Sequence, residues 1–213
     1  MSLSVAIITT STRTPRVGPS IAAFVKSILD EPAKANNITL SPVDLADFKL
    51  PIYDEAVVPG MINPAQADGL RFALSHSIAW SAEIKRHDAY IIVQPEYNYG
   101  VAGSTKNAID YLMHEWKGKP VAVVSYGIQG GSFASEQVSH ILGKMGLRVA
   151  DTKPLLKFEG GHGPELMGPM LKGELGEVSR EAWKEGKAED IVKAFEEVVV
   201  LLAAPGTEGE SAK

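Results

Sequence analysis

The chain has 213 residues, 45% of them hydrophobic, a formal charge of −5 and no cysteine. The length suits one sizeable core, so a single domain over residues 1–203 is expected, with 204–213, "APGTEGESAK", as a tail that has nothing to pack. Interspersed charges offer no basic face to nucleic acid or an anionic membrane, and the missing thiols exclude disulfides, thiolate metal sites, a cysteine nucleophile and a thiol redox relay.

The start, "MSLSVAIITT", has no positive n-region and too short an apolar run for a signal peptide or a span, which predicts a cytoplasmic protein. Residues 5–9 form a first buried strand. The turn "TSTRTPRVGPS" follows, with hydroxyls that include Ser11, guanidinium groups at Arg13 and Arg16, and Val17 and Gly18 where a helix begins. Such a helix amino terminus attracts anions, and a phosphate monoester fits this chemistry. The stretch lacks both the G-x-x-x-x-G-K-[ST] and the G-x-G-x-x-G phosphate loops; an ordinary polar turn capped by Ser or Thr is the alternative.

Ile21, Val25, Ile28 and Leu29 give that helix its period, and residues 38–43 form a second strand. Residues 50–64, "LPIYDEAVVPGMINP", read as a long loop. Leu70, Ala73, Leu74, Ile78 and Ile84 then have helical spacing, and residues 89–94 form a third strand. At its tip "PEYNYGVAGSTKNAIDYL" offers a platform for a flat heteroaromatic ligand, although Tyr97 and Tyr99 serve equally as core or interface aromatics. A carboxylate facing a ring that gains negative charge on reduction would oppose the reaction, so the contact expected from Glu96 is its peptide N–H. Lys106 and Asp110, four apart, read as a surface pair.

Ala108, Ile109 and Leu112 mark the next helix and residues 121–125 the fourth strand. That strand ends in "SYGIQGGSFASEQ", where Gly127, Gly130 and Gly131 can bring backbone donors to a ligand and Ser132 can cap the following helix, carried by Val138, Ile141 and Leu142. "GGSFA" falls one residue short of the G-x-S-x-G esterase elbow, which makes a serine hydrolase the rival reading. A weaker strand at 147–152, a glycine-rich loop at 157–176 and a final helix at 189–203 complete the chain. The five histidines lack metal-binding spacing, so no metal is expected; His162, in the late loop, is placed to reach an active site. Alternating strands and helices imply a doubly wound α/β sheet, whose ligands sit beyond the carboxyl ends of the strands.

With "STRTPRVG", "LPIYDE", "PEYNYGVAGSTKNAIDYL" and "SYGIQGG" in register, the sequence resembles the NADPH-dependent FMN reductase family, flavodoxin-like relatives of quinone and azo-dye reductases. The resemblance implies a flavodoxin-like three-layer sandwich with a five-stranded parallel sheet in order 2-1-3-4-5 and non-covalent FMN. It assigns the FMN phosphate to Ser11, Arg13 and the turn through Val17 and Gly18. The ring falls to Pro95, Glu96, Tyr97 and Asn98, bordered by Ser125, Tyr126 and Gly127 to Gly131. The family's glycine before the first-loop serine is Thr10 here. The resemblance implies a homodimer; the mechanism expected of such a site is ping-pong transfer of a hydride from NADPH or NADH to a quinone, free flavin or azo compound, with no essential proton-transfer residue. An FMN-binding electron carrier or redox sensor is the alternative.

Overall fold

The computed structural model describes residues 2–63 and 69–204. In chain order the elements are β1 (Leu3–Thr9), α1 (Gly18–Ala35), β2 (Ile38–Asp44), α2 (Leu45–Phe48), a 3₁₀ turn (Pro59–Met61), α3 (Ser75–Lys85), β3 (Ala89–Tyr97), β4 (Gly100–Val101) and α4 (Gly103–Asp110). There follow β5 (Pro120–Gly127), α5 (Ser132–Lys144), β6 (Arg148–Val149), β7 (Leu155–Lys157), α6 (Pro164–Lys172), α7 (Glu177–Gly186) and α8 (Ala188–Ala203). The expected tail at 204–213 lies almost wholly outside the described residues.

β1, β3 and β5 are near-continuous apolar runs because both faces of a parallel sheet are covered. Alternate residues go to opposite cores. Val5 and Ile7 of β1 pack with Phe24 and Val25 of α1 and Phe195 and Val198 of α8, whereas Ala6 and Ile8 pack with Trp80 of α3, Ile109 of α4 and Val138 of α5. The strand order is β2-β1-β3-β5-β6, with β7 also pairing in parallel with β5. β6 lies beside Pro120 and Val121 and β7 beside Ser125 to Gly127, so the two share the fifth lane. The expected 2-1-3-4-5 sheet of a flavodoxin-like fold is therefore present.

Three local expectations need correction. The fifth strand does not run through 147–152. It stops at Val149 and resumes at Leu155, because Thr152 gives its N–H and its hydroxyl to Glu197 of α8 (2.8 and 2.6 Å) and Pro154 has no N–H for the ladder. Residues 70–74 are not helical; the Glu55 carboxylate accepts the N–H groups of Ala73 and Leu74, and α3 begins only at Ser75. Burial opposes that negative charge, but these backbone donors outweigh it and hold Glu55 below its usual range. The segment 157–176 is not one loop: it contains the end of β7 and all of α6.

Candidate functional site

At the carboxyl ends of β1, β3 and β5, three loops and α6 enclose a cavity of about 630 Å³, a size typical of small-molecule sites. Arg13, Arg16 and Val17 line it from the first loop, Pro95 to Tyr99 from the β3 tip, and Tyr126 to Gln129 from the β5 tip. Phe158, His162, Leu166 and Met170 close the remaining side.

In the first loop, Ser11 is buried, and its Oγ interacts with the Tyr126 hydroxyl but makes no well-formed hydrogen bond within the chain. A buried hydroxyl left unpaired is costly, so a ligand acceptor or donor here recovers that energy. Gly18 opens α1, and a Cβ there would sit 2.1 Å from Ser11 Oγ and 2.9 Å from the Tyr126 hydroxyl. Only glycine fits this approach. α1 has no side-chain cap at its amino terminus and no acidic residue in its first turn, so its N–H dipoles are not neutralised from within. Arg16 is not a free ligand: it donates to Ser11 O at 3.0 Å and to Asp44 Oδ2 at 2.6 Å, which fixes the loop on the end of β2. Arg13 bends back to the Pro15 carbonyl and reaches Met170 O at 3.3 Å. Together the buried Ser11 hydroxyl, the open helix end and the Arg13 guanidinium suit a phosphate monoester.

The β3 tip is a hairpin. Asn98 and Tyr99 both have positive φ (50° and 61°), the two central residues of a tight turn that brings β4 back against β3. Gln137 holds the return, accepting Val101 N–H at 3.0 Å. The Glu96 carboxylate accepts Ala134 N–H in the first turn of α5 at 3.2 Å, where the helix dipole favours a negative charge. Its charge is thereby engaged at the helix end. Tyr99 is largely exposed and meets the exposed Phe133 edge to face at 6.1 Å.

The β5 tip separates the predicted glycines by role. Gly127 lines the cavity. Gly130 and Gly131 do not; both have φ of 78°, and a Cβ would meet Leu155 at 2.9 Å in one case and Ser125 at 2.9 Å in the other. They are glycines because the turn folds back on β7 and β5. Ser125 is buried behind the cavity, its Oγ accepting from Gln94 Nε2 at 3.1 Å. Ser132 does not cap α5: Gly131 holds the cap position, and Glu96 supplies the acceptor. Burial raises the Tyr126 phenol well above its ordinary value, so it stays protonated at neutral pH.

Of the predicted residues, Arg13, Arg16, Val17, Pro95 to Asn98, Tyr126 and Gly127 meet in one cavity; Ser11, Gly18, Ser125, Gly130 and Gly131 form its buried backing. "LPIYDE" stays apart from it. Pro51 O accepts from Asn107 Nδ2 and the Tyr111 hydroxyl, and Asp54 Oδ1 takes His76 and Tyr111 at 2.9 and 2.8 Å. Desolvation opposes the Asp54 charge, yet together these bonds hold its carboxyl below the usual range. The polar residues of "KNAIDYL" thus anchor this loop on α4, while Lys106 and Asp110 make the expected surface pair at 2.5 Å. Ile128 and Gln129, inside the expected 127–131 border, line the cavity, as does His162 from the late segment; the residues that sequence reading missed are Phe158 and the α6 wall of Leu166 and Met170. Its signal was the Leu166–Met170 spacing of four between Pro164 and Gly173.

Comparison with known proteins matches residues 3–157 to the sequence model of the NADPH-dependent FMN reductase family. The NAD(P)H-dependent FMN reductase ntnL of Nectria sp is 46% identical over 203 residues, covering 94% of this chain and 98% of that protein. The NAD(P)H-dependent FMN reductase LOT6 of Saccharomyces cerevisiae is 36% identical over 151 residues, 69% of this chain and 77% of its own. Among solved structures, the flavoenzyme FerB of Paracoccus denitrificans, an NAD(P)H:(acceptor) oxidoreductase, superposes with a TM-score of 0.61 at 20% identity, over 91% of this chain and 97% of that one. That likeness is one of fold.

Proposed function

The chain belongs to the NADPH-dependent FMN reductase family and is an NAD(P)H-dependent FMN oxidoreductase; from that premise we propose that the cavity beyond β1, β3 and β5 holds FMN and reduces quinones, free flavin or azo compounds. The observation that carries this reading is Ser11, a buried hydroxyl with no well-formed hydrogen bond, set beside the Tyr126 hydroxyl and the uncapped start of α1. When bound, FMN supplies the electron chemistry, accepting a hydride from NAD(P)H and passing the electron pair to the acceptor.

The chain's own work is to bind, orient and polarise. Ser11, Arg13 and the first N–H groups of α1 at Val17 and Gly18 would hold the phosphate, while Arg16, paired with Asp44, shapes the loop. Pro95 to Asn98 and Tyr126 to Gly127 receive the ring. With the Glu96 carboxylate engaged at α5, backbone dipoles are left to stabilise negative charge at that position. No side chain needs to act as a general base. Ser125, Gly130 and Gly131 support the ring site from behind.

NAD(P)H and acceptor then use the same open side of the cavity in turn, a ping-pong order. Initial rates with NADPH and 1,4-benzoquinone as varied substrates are expected to give parallel double-reciprocal lines; intersecting lines would refute the shared site. Among the described residues no helix is long and apolar enough to cross a membrane. The proposal includes a cytoplasmic location and a homodimer, to which the exposed Tyr97, Tyr99, Ile128 and Phe133 beside the cavity lend an apolar surface. Sedimentation equilibrium at twice the chain mass is the expected result.

A further inference from the structure

The family match ends at Lys157, and the side of the cavity closed by Phe158, His162, Leu166 and Met170 begins at the next residue. This wall is built, not draped. At one end Phe158 N–H donates to Gly127 O at 3.3 Å and its ring meets Tyr126 edge to face. At the other end Arg13 holds Met170 O, Leu175 N–H donates to Ser20 Oγ at 3.0 Å, and Gly173, at φ 80°, passes so close to Arg16 that a Cβ would lie 3.1 Å from its carbonyl. Between them Glu165 accepts Ser179 N–H at 2.9 Å and ties α6 to α7. The segment therefore spans from the β5 loop to the first loop, with Leu166 and Met170 one helical turn apart on the face toward the cavity.

Resting on the FMN-oxidoreductase reading of this cavity, we propose that Leu166 and Met170 are specificity-determining residues that favour flat apolar acceptors of the quinone class over free flavin. Arg13 and Arg16 of the first loop and Glu96, Asn98, Gln129 and the tyrosines of the strand tips bring polar groups to the cavity; the wall after the family match offers Phe158, Leu166 and Met170 and a single titratable side chain, His162. A naphthoquinone presents planar hydrocarbon that loses water against this wall at no polar cost. The ribityl chain of a free flavin brings hydroxyl groups that find no partner on Leu, Met or Phe, and a site rejects a ligand whose polar groups it leaves unpaired. The reaction selected is balanced: NADPH, a solvent proton and the quinone give NADP⁺ and the hydroquinone.

The test compares FMN-loaded wild type with Met170→Gln and Leu166→Asn. The kcat/KM for 1,4-naphthoquinone is expected to fall about tenfold while that for riboflavin holds or rises. Binding of 1,4-naphthoquinone to the oxidised holoprotein, followed in the flavin band without NADPH, is expected to weaken in parallel. A quinone-to-riboflavin ratio that stays at the wild-type value, or unaltered naphthoquinone binding, overturns the inference. Should Leu166→Asn fail to fold, the half-buried Met170→Gln carries the test, being close in volume and exposed enough to tolerate the amide. FMN retention by wild type is measured first: failure there overturns the reading of the cavity itself, whereas retention with an unmoved ratio overturns only the role of the wall.

Discussion

β1 carries one serine near its start and another just past its end, and the two have opposite surroundings. Ser4 Oγ is hydrogen-bonded to His87 Nδ1 at 2.7 Å, His87 Nε2 lies 3.2 Å from Glu83 Oε1, and Ser4 N–H donates to Asp88 at 2.7 Å. On paper this is a serine, a histidine and a carboxylate in line. Nothing in it is spare: the ring is buried and both its nitrogens are engaged, and the cavity beyond the strands lies at the other end of the sheet. Ser11, equally hidden, has an Oγ that touches the Tyr126 hydroxyl but completes no well-formed hydrogen bond in the chain. Residue types alone would rank the first cluster higher. Unspent hydrogen-bonding capacity beside a cavity ranks the second, and that is where ligand chemistry belongs.

Substitutions at the two ends should therefore separate cofactor binding from stability. The largest effect is expected from Arg13→Ala, which removes a charge from the first loop and a clasp from α6; FMN affinity measured by fluorescence quenching should fall about thirtyfold, or about 2 kcal/mol. Ser11→Ala should weaken FMN about fivefold to tenfold, near 1 kcal/mol, yet leave the urea midpoint of the cofactor-free protein almost unchanged, because no well-formed internal bond is lost. Ser4→Ala should do the reverse, costing about 1 kcal/mol of stability by stranding His87 Nδ1 while FMN affinity holds.

The smallest effect concerns pH. Burial, the first cause, lowers His87 below its ordinary 6.5, and Arg86 and Lys119 add to this against the opposing pull of Glu83. The unfolded chain then binds the proton that the folded one refuses, so stability falls as pH drops through about 6.5 and is retained above it. His87→Gln should flatten that part of the urea-midpoint profile between pH 7.5 and 5.5; an unchanged slope would show that the ring titrates freely.

The same contrast governs how much could be read in advance. The central strands were legible because burial on both faces demands unbroken Val and Ile runs, and the strand order came with the family resemblance. The three loops were legible as polar and glycine-rich interruptions at strand tips. What those side chains do was not: Arg16 looked like an anion ligand and is committed to Asp44, and Gly130 and Gly131 looked like ligand contacts and are packing requirements. Such outcomes depend on partners far along the chain. α6 was hidden by its own punctuation, since Pro164, Gly168, Pro169 and Gly173 suggest a loop. Pro164 in fact starts the helix at a position needing no N–H, and Gly173 ends it in the left-handed conformation. The extended stretch before α3 was missed for a related reason, as its cap, Glu55, belongs to a different loop.

The central claim is most directly tested by loading the protein with FMN, removing the free flavin, and titrating NADPH anaerobically while following the visible flavin band. The account predicts equimolar FMN retained and the band bleached by an equimolar addition of NADPH. Failure to retain FMN would contradict the assignment of the cavity, and retained FMN that NADPH cannot bleach would contradict the enzymatic reading and leave an electron carrier in its place.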